Sequence, residues 1–235
     1  MSLLSYLLPL IFLLFIFPSF SFSATTCPLN ITVLRNIVHG STPSINPGSE
    51  CHYTLQALHL LQADYLRRTG FFVPPLNTAE SCWSSFQSFI DEFQPNFDIR
   101  SSCGFQTSWI SQGCMNITTK QEFEKQVSLP ALQSLRLNCN ASLDNNAPCA
   151  LCTSKCSEVF TTYLTGVVPS NVSDCRSYTS IYAASLSNDF GPTNPGTAKC
   201  LFGLDFTSSG ATVIGSGIGS GVVLWLAYSI LALFS

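Results

Sequence analysis

Eleven cysteines constrain this chain more than any other feature of its sequence. All of them lie in a central body, from about Thr25 to Ser208, which also carries all of the charged side chains. A cysteine content of this kind indicates either disulfide bonds or a bound metal. Because eleven is odd, at most ten cysteines can pair within the chain, and one is left as a thiol or as a link to another molecule.

The N-terminal segment decides between disulfides and metal. Residues 3–17 form an apolar run with two interruptions, and small residues follow it. This is the pattern of a secretory signal, and cleavage after Ser23 places Ser21 and Ser23 at the two selective positions. We therefore predict a signal peptide at residues 1–23 rather than a transmembrane anchor, which needs about 20 apolar residues. Secretion places the cysteines in an oxidising compartment, where disulfides persist.

The spacing of Cys149, Cys152 and Cys156 also occurs in zinc and dithiol sites. A zinc site needs a second group of ligands, and the three histidines all lie about 90 residues or more upstream. We predict structural disulfides, no metal and no cofactor. The spacing alone fixes neither the pairing nor the odd cysteine.

Apolar residues recur mostly at helical spacing, which predicts a mainly α-helical, disulfide-rich extracellular domain. Early predicted elements are a short extended segment at Val33–Val38, a helix from Glu50 to Thr69 ended by Gly70, and an aromatic helix from Asn77 to Pro95 that buries Phe93. Later ones are a helix capped by Thr119 with a kink or restart at Pro130, a helical face from Cys149 to Tyr163, a last helix capped by Asp174, and a loop at Gly191–Gly196.

The stretch from Cys103 to Thr119 is the most constrained part of the body. Its two cysteines bracket Phe105, Trp109 and Ile110, three side chains that favour burial. Thr119 and Glu122 have the spacing of a capping box. We therefore expect a buried aromatic segment, with Trp109 in the core, that leads into a helix.

Several functional classes are disfavoured. The body has no Gly-x-Ser-x-Gly, His-Glu-x-x-His or phosphate-loop motif. His52 and His59 lie two turns apart on one predicted helix, but no third convergent group accompanies them. The net charge is −3 and the basic residues are scattered, which argues against nucleic-acid binding. We predict that the chain is not an enzyme.

Four glycosylation sequons are spread along the body. They are Asn30, Asn116, Asn140 and Asn171. Glycans at these positions would leave ligand contact to a face without sugar. The loops after Gly70 and around Gly191 contain no sequon and are the predicted candidates.

The C-terminal segment, residues 208–235, has the pattern of a GPI-attachment signal. Ser208, Ser209, Gly210 and Ala211 are small, a spacer of mostly small and polar residues follows, and an apolar tail ends the sequence. We predict attachment at Ser209, or at Ser208. The alternative is a single transmembrane helix made of spacer and tail together, as in a truncated receptor-like kinase ectodomain.

Long motifs in this chain resemble the SPARK domain of plants. They include CPLN at 27–30, ECHYTLQALHLLQADYLRRTG at 50–70, NFDIRSSCGFQTSWISQGCMNITT at 96–119 and YAASLSNDFGP at 182–192. The chain is similar to the ectodomains of RKF-like receptor-like kinases, in a GPI-anchored form without a kinase domain. The Gnk-type module is the alternative fold, but Cys139 and Cys149 are separated by nine residues instead of its eight.

The resemblance implies an extracellular domain over residues 24–207 that acts at the plasma membrane as a ligand-binding or co-receptor module. The implied partner is a receptor-like kinase or an extracellular ligand. A structural surface glycoprotein is the alternative function. Cys156 departs from the family pattern and is the candidate free thiol. The candidate disulfide cysteines, with pairing open, are Cys27, Cys51, Cys82, Cys103, Cys114, Cys139, Cys149, Cys152, Cys175 and Cys200.

Overall fold

The computed structural model describes residues 26–38, 50–165, 172–187 and 191–204, and these ranges contain nine α-helices and no β-strand. The helices are α1 (Thr32–Val38), α2 (Glu50–Thr69), α3 (Ala79–Asp91), α4 (Ile99–Cys103), α5 (Lys120–Gln126), α6 (Leu129–Cys139), α7 (Asn146–Val159), α8 (Val172–Leu186) and α9 (Pro195–Phe202). Short 3-10 turns lie at Leu76–Thr78, Thr107–Ile110 and Gly191–Thr193, and a π turn at Phe160–Leu164 follows α7. The prediction of a mainly helical, disulfide-rich fold is confirmed.

Helix α2 is the central element of the fold. Seven consecutive residues, Leu60–Leu66, are buried, so this part of the helix is covered on all sides. Its most extensive packing is against α8, and it also contacts α1, α4, α9 and the turn at Gly191–Thr193. The buried carboxylate of Asp64 is paired with Arg68 at 2.7 Å, which compensates for its removal from water.

One aromatic cluster joins α5 and α8 to the segment after α2. The ring of Phe72 stacks on Tyr178 at 4.4 Å, and Phe123 stacks on Tyr182 at 4.5 Å. The buried hydroxyl of Tyr182 donates to Glu124 Oε1 at 2.7 Å and accepts from Arg136 Nη2 at 3.0 Å. The stacked rings and the hydrogen-bonded hydroxyl of Tyr182 therefore join α5, α6 and α8.

A second aromatic cluster lies between α3 and the segment after α4. Trp83 is only 1% exposed, packs against Phe86 and Phe105, and donates its indole N–H to the carbonyl of Thr107 at 3.1 Å. Trp109 is partly buried and contacts Phe105 with a ring separation of 5.2 Å. Phe105 and Ile110 are buried as predicted. The expectation that Trp109 lies in the core is confirmed only in part, because Trp109 packs against the edge of the core while Trp83 is fully buried.

Five disulfides connect these helices, and the structure leaves Cys156 unpaired and buried. The pairs are Cys27–Cys82, Cys51–Cys103, Cys114–Cys175, Cys139–Cys152 and Cys149–Cys200. Four of them join residues 51 to 61 positions apart in sequence, and the fifth, which joins α6 to α7, spans 13. Bonds that close long loops restrict the unfolded chain most in the chain-entropy account.

Several predicted helix boundaries are confirmed. Helix α2 has the predicted bounds, and Gly70 follows it with a φ of 79°, a conformation that favours glycine. Thr119 and Glu122 form the predicted capping box at the start of α5. Pro130 lies in the first turn of α6, so the chain restarts there as a new helix.

The predicted extended segment at Val33–Val38 is wrong, because these residues belong to α1. Asn30 Oδ1 accepts hydrogen bonds from the backbone N–H of Thr32 at 3.2 Å and from its hydroxyl at 2.6 Å. This local turn directs the chain into a helix. Val33, Leu34, Ile37 and Val38 are all buried in it. Burial on one helical face overrides the β propensity of the branched residues.

Three further boundaries differ from the sequence predictions. Helix α3 begins at Ala79 instead of Asn77, and its Glu80 pairs with Arg100 at 2.8 Å rather than capping the helix. Helix α8 begins at Val172, before the predicted cap at Asp174. It is not the last helix, since α9 follows.

Helix α9 was missed because Gly191–Gly196 has the composition of a loop. Asn194 caps α9 by accepting from the backbone N–H of Thr197 at 3.1 Å, and Pro195 occupies the first turn. The proline therefore marks a helix start, where its missing N–H is harmless.

The two tryptophans provide a test of this packing. We expect Trp83→Ala to lower the unfolding free energy by about 3–5 kcal/mol, as large-to-small changes in cores do. Trp109→Ala is the matched control and should cost about 1–2 kcal/mol, within the range of ordinary substitutions. Urea denaturation of both purified variants measures the difference, and equal losses would contradict the assignment of Trp83 to the core.

Candidate functional site

The structure brings three potential metal ligands together. The sulfurs of Cys139, Cys152 and Cys156 lie within 4.8 Å of one another, and they form the one such group among the described residues. Two of these sulfurs are joined as the Cys139–Cys152 disulfide. A disulfide sulfur is not the thiolate that binds zinc, so this geometry supports disulfide chemistry at the cluster.

The two predicted helix histidines are placed differently. His52 is exposed, whereas Nδ1 of His59 is buried and has no hydrogen-bond partner among the described residues. Burial, with a smaller effect of His52, lowers the pKa of His59 from 6.5 to about 4. His59 is therefore a partly buried side chain that is neutral at ordinary pH. His39 lies outside the described residues.

The sequons lie at the surface where the structure describes them. Asn116 and Asn140 are exposed, and Asn30 is partly exposed next to the start of α1. Asn116 has a φ of 62°, in the left-handed region that asparagine tolerates. Asn171, Ser208 and Ser209 lie outside the described residues. Glycosylation at the four sequons and lipid attachment at the serines stay predictions.

The two loops predicted as a sugar-free ligand face are not supported by the geometry. Gly191 and Pro192 are buried, and a Cβ added to Gly191 would clash with the guanidinium group of Arg67. The loop after Gly70 pairs with the segment that follows Asn116, through a 2.8 Å hydrogen bond from Phe72 N–H to Thr118 O. The first loop is therefore packed inside at Gly191 and Pro192, and the second lies beside a sequon.

A concave apolar pocket of about 60 Å³ lies elsewhere, between α1, α2 and α3. Leu34 and Val38 line it from α1, Ala57 from α2 and Phe89 from α3, while Leu204 contributes after α9. An ion pair between Arg35 and Glu92 connects α1 to the end of α3. The pocket walls therefore come from three helices, of which α1 packs against α2 and is linked to the end of α3 by a solvent-exposed ion pair.

The mouth of the pocket combines exposed aromatic rings with a buried acid. Tyr53 and Phe93 line it and are 40% and 41% exposed, so the predicted burial of Phe93 is wrong. Glu50 is only 7% exposed, and its Oε1 accepts a hydrogen bond from Gln94 Nε2 at 2.5 Å. In the described ranges no ion pair is formed by Glu50. A pocket of about 60 Å³ with an apolar lining and a few convergent polar groups has room for one small chemical group rather than for a whole drug-sized ligand.

Sequence reasoning missed this pocket. Glu50 has the position of an ordinary acidic residue in a first helical turn, where the helix dipole favours it. Gln94 lies in a turn after α3 and carries no motif. The only available signal was the pair of aromatic residues, Tyr53 and Phe93, and the latter was assigned to the core.

Comparison with known proteins decides the family. A family model described as SPARK matches residues 21–177. The chain belongs to the SPARK family. This SPARK chain is 48% identical over 217 residues to the Arabidopsis thaliana protein named "Probable LRR receptor-like serine/threonine-protein kinase RKF3". The aligned region covers 91% of this chain and 34% of that relative. The predicted resemblance to RKF-like receptors is confirmed.

The chain spans about a third of the length of the curated relative that it matches. The relationship therefore supports a receptor-associated context at the cell surface, and the kinase activity in the relative's name is a statement about that longer protein. No solved structure matches the SPARK chain. In the part of the chain that the structure describes, no helix has the length and apolarity needed to span a bilayer.

The lowered pKa of His59 leads us to expect that the stability of the protein depends on pH. The unfolded chain binds the proton with a pKa near 6.5 and the folded protein with a pKa of about 4, so between these values the unfolded state holds more protons. The contribution of His59 is complete above pH 6.5 and is lost as the pH falls toward 4. We expect a loss of up to about 3 kcal/mol from this group.

The measurement is the unfolding free energy at several pH values between 7 and 4 for the wild type and two variants. His59→Gln should remove this part of the pH slope, whereas His52→Gln, at the exposed histidine, should keep most of it. A wild-type slope that persists in His59→Gln would show that His59 does not cause it.

Proposed function

We propose that this SPARK protein is a non-enzymatic cell-surface module that binds an extracellular ligand or acts as a co-receptor beside a receptor-like kinase. The observation that supports this most is the 48% identity, over 91% of the chain, to a protein named a receptor-like kinase. The alternative is a structural surface glycoprotein without a signalling partner. Similarity to a receptor-like kinase favours the ligand-binding or co-receptor function over the structural one.

The pocket between α1, α2 and α3 is the proposed contact site. Its apolar walls suit an apolar group, and the aromatic rings of Tyr53 and Phe93 offer contact area at the mouth. The buried carboxylate of Glu50 favours a group that also carries a positive charge or a hydrogen-bond donor, which would replace lost hydration. The proposed occupant is therefore a small apolar group with an amine or hydroxyl.

Affinity capture from plant plasma membrane, with the full-length glycosylated chain as bait, tests this function. We expect a receptor-like kinase among the captured proteins. The double variant Tyr53→Ala/Phe93→Ala should weaken its capture by at least about tenfold, because buried aromatic anchors dominate binding energy. The matched control is Phe71→Ala, which removes a 48% exposed ring that does not line the pocket.

Two outcomes would contradict the proposal in different ways. Capture of a kinase that the double variant leaves unchanged would reject the pocket and keep the co-receptor role. Failure of the wild type to capture any kinase would favour the structural glycoprotein. Hydrolase activity in the purified chain would instead indicate a secreted enzyme.

We also propose the processing that places this domain outside the cell. Residues 1–23 are removed as a signal peptide, residues 24–207 form the extracellular domain, and residues 208–235 direct attachment of a GPI anchor at Ser209 or Ser208. The exposure of Asn116 and Asn140 is compatible with glycosylation. The membrane association of the mature protein then depends on lipid alone.

Phosphatidylinositol-specific phospholipase C tests the anchor. We expect the enzyme to shift the protein from the detergent phase to the aqueous phase. Replacing both attachment candidates, Ser208→Phe and Ser209→Phe, should prevent the modification, because the attachment site requires small residues. Recovery of a peptide that contains Trp225 from the mature protein would support a transmembrane helix instead.

A further inference from the structure

The odd number of cysteines has a structural counterpart at the contact between α6 and α7. Cys139 lies at the end of α6, and Cys152 and Cys156 lie one turn apart on α7. Residues four apart on a helix share a face. All three sulfurs lie within 4.8 Å of one another, although only Cys139 and Cys152 are bonded. Cys139 therefore has a second potential partner beside the first.

We propose that Cys156 is an alternative disulfide partner of Cys139, so that the α6–α7 cross-link closes through either Cys152 or Cys156. Both bonds connect the same two helices. Because the sulfurs already lie within 4.8 Å of one another, a change of partner moves a sulfur by only a few ångströms and still links α6 to α7. The third sulfur of the cluster remains a buried thiol in either form.

The conversion is a thiol–disulfide exchange that needs no external oxidant. The thiolate of Cys156 attacks Sγ of Cys139, the Cys139–Cys156 bond forms and the Cys139–Cys152 bond breaks. Cys152 leaves with the electron pair and takes up the proton that Cys156 lost, so the number of disulfides is unchanged. Four other disulfides stay in place throughout.

The environment of Cys156 determines when this exchange occurs. Its side chain is 5% exposed, and burial raises the pKa of the thiol to about 12. Few molecules carry the thiolate in the folded protein, so exchange there is slow. The choice of partner is therefore made mainly while the chain folds, before the cluster is buried.

Removal of Cys152 tests the proposal in the full-length chain made in plant cells. In Cys152→Ser, ten cysteines remain, and the disulfide-bearing oxidants of the secretory pathway should join Cys139 to Cys156. We expect no free thiol after denaturation and at least half of the wild-type accumulation. Two alkylated thiols, at Cys139 and Cys156, or failure of the variant to accumulate would overturn the proposal.

Peptide mapping identifies the bond directly. Trypsin alone leaves Cys139 and Cys152 in one peptide, so it is combined with a protease that cuts before aspartate. Cleavage after Arg136 and Lys155 and before Asp144 and Asp174 then places Cys139, Cys152 and Cys156 in three separate peptides. We expect the Cys139 peptide to be linked to the Cys156 peptide in Cys152→Ser, and in a minor fraction of the wild type. Complete absence of this link from Cys152→Ser would overturn the proposal.

Matched controls separate this effect from a general tolerance of cysteine loss. Cys51→Ser removes a bond whose other member, Cys103, lies in no such sulfur cluster among the described residues. It should expose two thiols, Cys103 and Cys156. The double variant Cys152→Ser/Cys156→Ser should leave Cys139 as a thiol and accumulate no better than Cys51→Ser. If Cys152→Ser accumulated no better than this double variant, Cys156 would not be an alternative partner of Cys139.

Discussion

The structure depends on the burial of α2. An ordinary surface helix has one apolar face, but residues Leu60–Leu66 are covered on every side by α8, α9 and the segments near them. Burial of a charged group in this run is favourable only if the group has a partner, and Arg68 is that partner for Asp64. The other helices are arranged so that together they enclose this one.

Several of the enclosing helices are too short to be stable alone. Helices of five to eight residues, such as α1, α4, α5 and α9, are well below the length at which isolated helices persist in water. Disulfides hold α4 to α2 and α9 to α7 directly, and Cys114 ties the segment before α5 to α8. The disulfides therefore hold in place short helices that would not be stable by helix propensity alone. This explains why a helical protein contains so many cysteines.

The accuracy of the sequence predictions follows the range of the interactions that decide each feature. The bounds of α2 and the capping box of Thr119 with Glu122 rest on neighbouring residues, and both were predicted. The choice of Trp83 over Trp109 as the core tryptophan rests on contacts with residues around 105–107, more than 20 positions away. Helix α1 was missed because its β-branched residues favour strands locally, while distant packing fixes them as a helix.

The pocket was even harder to predict, because residues that are distant in sequence form it. Its acid and amide, Glu50 and Gln94, are 44 residues apart and have no common motif. They meet because α2 and α3 are brought together, and Arg35 of α1 then pairs with Glu92 at the end of α3. A pocket assembled in this way from three helices changes shape when any one of them shifts, so the proposed occupation of the pocket would be coupled to the packing of α1. Binding at Tyr53 and Phe93 would therefore stabilise the same helix contacts that hold the N-terminal part of the domain on α2.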